Sequence, residues 1–341
     1  MKISLISLLF TCLSCTTTKT ALGDAIETAD FVLAFGSCNR TDLPNLLWDD
    51  ILKTKPDVWV WGGDNIYADT DDMQVLSEMY SKQKQVEGYA KLVETIDIIG
   101  TWDDHDYGLN DGGVEYMAKD ESQQEFLNFM NVSLDSPLRK QEGVYMSKEY
   151  VVKDGTIHVI VLDTRYFRTP LTPDTETNMR IKPNDYGVGT VLGEIQWLWL
   201  ENELSNSEAD FNVIVSSIQY LSNEHGFETW GNFPHEVNRL ERLIVKSKAK
   251  GVIILSGDRH ISEFSRTKFK GMNYPLIDFT SSGLTHAYKG FSGEPNPYRV
   301  GEVISMESFG VLEFDFSAKK VDFEIIGDNG VVLEKLEQVF E

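Results

Sequence analysis

From Phe31 onward the chain repeats one construction: a short apolar run, a cluster of polar and ionisable residues, then a stretch with helical periodicity. Phe31–Phe35 runs into GSCNR, Val58–Trp61 into GGDNIY, and Ile96–Gly100 into TWDDHDYGLND. Thr156–Leu162 is followed by DTRYFR, and Gly251–Leu255 by SGDRH. β-Branched and aromatic runs bounded by glycine and proline mark buried strands. Between them Leu43–Lys53, Gln74–Val93, Val114–Met130, Glu194–Leu204 and Val237–Lys248 carry the spacing of helices, and Gly143–Val152, Phe211–Val215 and Pro275–Thr280 read as further strands. Strands alternating with helices predict an α/β core, whose ligands sit beyond the carboxyl ends of the strands. Past Ser308, GVLEFDF, KVDFEII and VVLEKL predict three antiparallel strands finishing a sheet edge. With no repeat and no Pro/Gly-rich linker, residues 31–341 are expected to form a single domain.

Residues 1–15, MKISLISLLFTCLSC, have the lysine and short apolar run of an export signal, too short to span a bilayer. Cys15 stands where a bacterial lipoprotein carries its lipid, although Cys12 replaces the usual aliphatic residue; 16–30 would be a polar tether. The expected location is the periplasm or cell surface, membrane-anchored through that lipid, or simple secretion. Cys38 is then the sole cysteine of the mature chain and cannot form an internal disulfide. A formal charge of −23 argues against a nucleic-acid partner. It would also repel a phosphate substrate, so an anion site here needs local positive charge, which bound cations supply. A monomer is expected.

The motifs follow the runs. Gly62 and Gly63 let the backbone turn and approach whatever Asp64 holds. A carboxylate with the phenol of Tyr67 suits a hard trivalent metal, tyrosinate being an accepted iron ligand. Residue types alone equally allow a turn cap at Asp64 and a solvated turn at Thr101–Asp111. That second stretch offers oxygen donors for calcium, magnesium or manganese and a histidine for transition metals. Asp258 and His260, two apart, would reach one centre if the segment were extended. Arg165 has the planar fork that grips phosphate, or is a surface partner of Asp163. The polar, proline-bearing stretch Thr169–Gly189 reads as an excursion loop. The stretch holding His225, Trp230, Phe233 and His235 reads as a pocket wall or an aromatic satellite core, and His286 follows another strand end. Cys38, Asp64, Tyr67, Asp103, Asn110, Asp258 and His260 thus all follow strand-like runs. Their joint placement predicts a two-metal site with Asp64 as bridge, attacking phosphorus with metal-bound hydroxide. Neither GxxxxGK[ST] nor GxSxG is present.

The ordered set GSC, GGDNIY, TWDDHDYGLND, LDTR, SGDRH resembles the PhoD-like alkaline phosphatase D family of metallophosphatases, across nearly all of the mature chain. The resemblance implies a four-layer αββα sandwich of two mixed β-sheets flanked by helices. It implies ferric iron held by Cys38, Asp64, Tyr67 and Asp258, with calcium served by Asp64, Asp103, Asn110 and His260. Mg2+, Mn2+ or Zn2+ are alternative ions. Arg165 would bind phosphate; His225 belongs to a stretch similar to one in the family, without a role fixed by motif. The chain departs from the family pattern in its length, with no extra N-terminal β domain or covering C-terminal helix in evidence. The expected activity is hydrolysis of phosphomonoesters or phosphodiesters, with Asp64, Arg165 and His225 as catalytic candidates and Arg165, His225 and Trp230 against substrate. In a diesterase the wall around Trp230 and the loop Thr169–Gly189 would hold the second ester group. The competing reading is a cell-surface binding lipoprotein whose metals are structural.

Overall fold

The computed structural model describes residues 29–340. The export signal, Cys15 and nearly all of the tether lie outside the described residues. No described helix is long and apolar enough to cross a membrane.

Two large mixed sheets lie face to face. The first runs Val332–Val339, Lys320–Gly327, Ser308–Asp315, Phe31–Gly36, Val58–Gly62, Asp97–Thr101. Its last three strands are parallel, and the C-terminal three form the expected antiparallel meander at the opposite edge. The second runs Arg299–Ile304, Ser262–Thr267, Leu276–Ser281, Val252–Ser256, Phe211–Val215, Thr156–Val161, Met146–Val151, with four parallel strands at its centre.

Alternation along each strand sorts the side chains into layers, because successive residues face opposite sides of a sheet. Leu33, Phe35, Val58 and Val60 meet Val159, Val161, Val213 and Leu255 in the core between the sheets. Ala34, Trp59 and Trp61 point the other way, under the helices Trp48–Lys53, Met73–Gln85, Glu87–Thr95 and Lys119–Phe129. Ile160, Leu162, Ile214 and Ile254 pack beneath the helices Gly193–Asn206 and Pro234–Ser247. The result is a four-layer αββα sandwich. Since both faces of each sheet are covered, the parallel strands read as continuous apolar runs.

The structure trims several expected elements. The helix expected over 43–53 begins at Trp48. The one expected over 74–93 breaks at Val86, which is extended (ψ 117°). Ser262–Thr267 and Arg299–Ile304 are strands that the sequence pattern did not suggest.

Candidate metal and substrate site

The parallel strands of both sheets end on the same rim of the sandwich, and each end delivers one motif. Four ligand candidates sit in left-handed backbone conformation: Cys38 (φ 59°), Asp64 (51°), Asp258 (67°) and His260 (54°). Non-glycine residues avoid this region unless their surroundings hold them there, and such outliers cluster at functional sites. Two glycines make the approach possible. A Cβ at Gly63 would lie 2.6 Å from the Asp103 Cβ, and one at Gly257 2.6 Å from the Ser37 Oγ.

Three groups of potential ligands form, each with its donor atoms within 4.8 Å of one another: Cys38, Asp64 and His260; Asp64, Asp104 and His105; Asp103, Asp104 and Asp258. Asp64 and Asp104 each belong to two, so the groups make one continuous cluster. The Tyr67 hydroxyl donates to Asp64 Oδ2 at 3.0 Å and stands 2.9 Å from His260 Nε2. Asp64 Oδ2 is 3.4 Å from Cys38 Sγ, and the His105 amide donates to Asp64 Oδ1 at 3.3 Å.

A scaffold holds the cluster from behind. Asp106, fully buried, accepts from the backbone amides of Asp64, Asn65 and Asp103 and from the Asn65 side chain, tying two strand ends together. Asp103 accepts from Ser217 Oγ at 2.7 Å and from Arg165 Nε at 2.5 Å, and Arg165 Nη1 donates to Glu228 at 2.5 Å. Arg168 lies 2.9 Å from the other oxygen of Glu228.

Crowding so many acidic groups away from water makes their charges costly. Burial pushes the Cys38 thiol up to about 12. Burial, then Cys38, Asp104 and Asp103, holds Asp64 well above the usual carboxylate range. Burial raises Asp103 to about 7, despite Arg165, and Asp258 to about 8. Tyr67 also rises, through burial and then Asp64. Asp104 goes the other way: burial opposes its charge, but Arg165, His105 and backbone amides outweigh it. Burial works against a charged His105, yet Asp69, Asp64 and Asp104 push it up to about 10.

Such a cluster fits bound cations, which supply the missing charge. Cys38, Asp64 and His260 beside Tyr67 combine sulfur, oxygen and nitrogen donors, the mixture transition metals take. Asp103, Asp104 and Asp258 offer oxygen alone, as hard divalent ions prefer.

The structure redistributes several expected roles. His260 lies with Cys38 and Tyr67, and Asp258 with Asp103, the reverse of the assignment the resemblance implied. The DRH segment is left-handed at both Asp258 and His260 instead of extended, and the two fall in different ligand groups. Asn110 is exposed and lines the cavity beside Asp104 and His105. Asp104 and His105, which open a short helix at 104–107, join the cluster as well. Arg165 is fully buried between Asp103 and Glu228 and does not line the cavity; Asp163, its supposed partner, accepts the backbone amides of Arg165 and Tyr166 instead. Trp230 is also fully buried, packed against Trp197 and Tyr220, and belongs to the core. His225 is buried behind the wall, accepting the Phe227 amide at Nδ1, and burial lowers it to about 3.

Over the cluster opens a cavity of about 380 Å3, lined by Asp104, His105, Asp258 and His260 at its base. Arg180, Phe227, Arg259 and Tyr288 stand among its walls.

A two-sheet sandwich with a carboxylate-rich cluster at the strand ends defines a metallophosphatase-type architecture. The chain belongs to the PhoD-like phosphatase family, whose model matches residues 78–296. It is similar to alkaline phosphatase D of Bacillus subtilis, 29% identical over 144 residues, or 36% of this chain and 24% of that one. The match thus spans about a quarter of the relative's length. A solved structure of PhoD superposes with a TM-score of 0.69 at 17% identity, covering 91% of this chain and 68% of that chain. GAP50, the anchor in the inner membrane complex of Plasmodium, gives 0.61 at 14% identity, covering 91% and 89%. A dimetal phosphatase from Danio rerio gives 0.52 at 12% identity, covering 92% and 100%. At these identities the superpositions establish the shared fold.

Proposed function

We propose that the chain is a metal-dependent phosphoric-ester hydrolase acting on monoesters, diesters or both. The observation that carries the reading is that Asp64 is common to two ligand groups beneath an open cavity. Cys38, Asp64, Tyr67 and His260 would hold one ion, suited to Fe3+. Asp103, Asp104 and Asp258 would hold the other, suited to Ca2+ or a similar divalent ion, with Asp64 and Asp104, which share a group, linking the two. A bound pair of ions supplies charge for the phosphoryl oxygens and a nucleophile at neutral pH.

The chain's own residues do the rest. Arg165 and Ser217 fix the orientation of Asp103. Asp106 locks the Asp64 and Asp103 strand ends together. Asp69 holds His105 Nδ1 at 2.8 Å, and the imidazole stacks on Tyr67 with ring centroids 4.2 Å apart. Asp69 fixes the proton on Nδ1, and Asp69, Asp64 and Asp104 together push His105 up to about 10 against its burial, which keeps a second proton on Nε2. In hydrolysis, water oxygen bonds to phosphorus, the ester P–O bond breaks and the departing oxygen takes a proton; His105 is placed to give it. We retain export and lipidation at Cys15 as part of the reading; mass spectrometry of the membrane-extracted protein would show the lipid mass or its absence.

Turnover of 4-nitrophenyl phosphate and of bis(4-nitrophenyl) phosphate, before and after chelation and with ions restored, tests the proposal. Activity lost to chelator and recovered with ions is expected. Absence of turnover in fully loaded protein would favour a binding protein with structural metals.

A further inference from the structure

Two cavity wall residues have no part in the chemistry above. Phe227 is 38% exposed and lines the cavity beside Glu228, Asp258 and Arg259. One face of its ring is covered by the guanidinium of Arg259, 4.2 Å from the centroid. Arg259 lies between Asp258 and His260 in sequence, and its side chain is only 10% exposed. Glu294 clamps its Nη2 at 2.8 and 2.9 Å, while its buried Nε has no partner among the described residues.

The ring is held in place, not loose. Glu228 is anchored from beneath by Arg165 and Arg168. The Gly226 carbonyl accepts the amides of Arg180 and Ile181, so the excursion loop braces the same wall. The Phe227 amide donates to His225 Nδ1. Tyr288, half exposed, lines the same cavity, and its amide donates to the His260 carbonyl at 2.7 Å. An aromatic ring fixed at a cavity mouth, backed by an arginine and sharing the cavity lining with a second ring, is a platform for a flat apolar group.

On the hydrolase reading above, we infer that the substrate is a phosphodiester whose retained alcohol is aromatic or carries a planar ring, seated on the face of Phe227 that Arg259 leaves open. Phe227 therefore sets specificity without taking part in the bond-breaking step.

The test compares phenyl 4-nitrophenyl phosphate with methyl 4-nitrophenyl phosphate, which release the same 4-nitrophenol and differ only in the retained group. The ratio of their kcat/KM values in wild type, divided by that in Phe227→Ala, cancels intrinsic reactivity. That quotient should be about tenfold, the scale of one aromatic stacking contact. Phe227→Trp should keep the wild-type ratio, and thermal melts should show both variants folded. Calorimetric binding of phenylphosphonate and methylphosphonate supplies a readout independent of turnover. Wild type should prefer the phenyl compound, and Phe227→Ala should lose the preference. An equal ester ratio in wild type and Phe227→Ala, or phosphonates bound without preference or not bound, would overturn the inference. Phosphonate preference without ester turnover in loaded protein would instead defeat the hydrolase reading and leave the platform standing.

Discussion

Replacing Arg165 by alanine should weaken the fold before it reveals anything about phosphate. The guanidinium and the Asp103 carboxylate are both fully buried, and Glu228 is 2% exposed. Asp103 has no water to replace the lost cation, whereas Glu228 keeps its pairing with Arg168. Removing one member of a buried ionic network typically costs ~3–5 kcal/mol, because the remaining charges are stranded. For a domain of this size roughly 2 °C of melting temperature accompanies each kcal/mol, so a fall of about 6–10 °C is expected. Burial already raises Asp103 to about 7 against the pull of Arg165. Without the arginine it should protonate more readily still, and the deficit should widen as pH rises. The assay is differential scanning calorimetry of wild type, Arg165→Ala and Arg165→Lys at pH 6 and pH 8. Lysine keeps the charge but not the fork that spans two carboxylates, so it should fall in between. Melting within about 1 °C of wild type, together with a large loss of kcat, would refute the reasoning and restore Arg165 as a substrate contact.

Three further outcomes follow from the same geometry. Tyr67→Phe should bleach a visible phenolate-to-iron band in iron-loaded protein while leaving the melt close to wild type; a colourless, iron-replete wild type would remove the tyrosinate assignment. Chelated protein should lose stability as pH rises from about 4 towards 8: Asp103 and Asp106 at about 7 and Asp258 at about 8 bind protons more tightly folded than unfolded, so the native state carries more protons throughout that window. Each such proton contributes a slope of about 1.4 kcal/mol per pH unit, and melts of chelated and ion-loaded protein between pH 5 and pH 8 would show whether ions abolish it. Trp230→Ala should cost ~3–5 kcal/mol as a core truncation, whereas Trp230→Phe should keep kcat/KM near wild type; a selective rise in KM for Trp230→Phe in stable protein would return Trp230 to the substrate wall.

What the sequence made legible was the construction of strand ends. Cys38, Asp64, Tyr67 and Asp103 stand out because each follows an apolar run, and the alternation of those runs with helices implies the layers. What it hid were local backbone turns and polar burial. Asp258 and His260 share a motif but not a ligand group, since left-handed residues break the two-residue alternation. Asp104 and His105 were visible in TWDDHDYGLND, but the short helix that turns them inward leaves little periodicity to read. The strand Ser262–Thr267 has buried Ser262, Glu263 and Ser265, with Glu263 satisfied by Gln219, Asn296 and Arg299, so hydropathy gave it no signature. Trp230 and Arg165 look like site residues by type, and only packing shows them turned into the interior.

The most direct test of the account is the metal content of wild type and Asp64→Asn, measured by plasma emission alongside turnover of 4-nitrophenyl phosphate and bis(4-nitrophenyl) phosphate. Wild type should hold two ions per chain and hydrolyse at least one ester in a chelator-sensitive way. Asp64→Asn should lose an ion and nearly all turnover, more than Cys38→Ser or Asp258→Asn loses. Near-normal turnover by Asp64→Asn, or undiminished hydrolysis by wild type stripped of both ions, would contradict the shared-aspartate site.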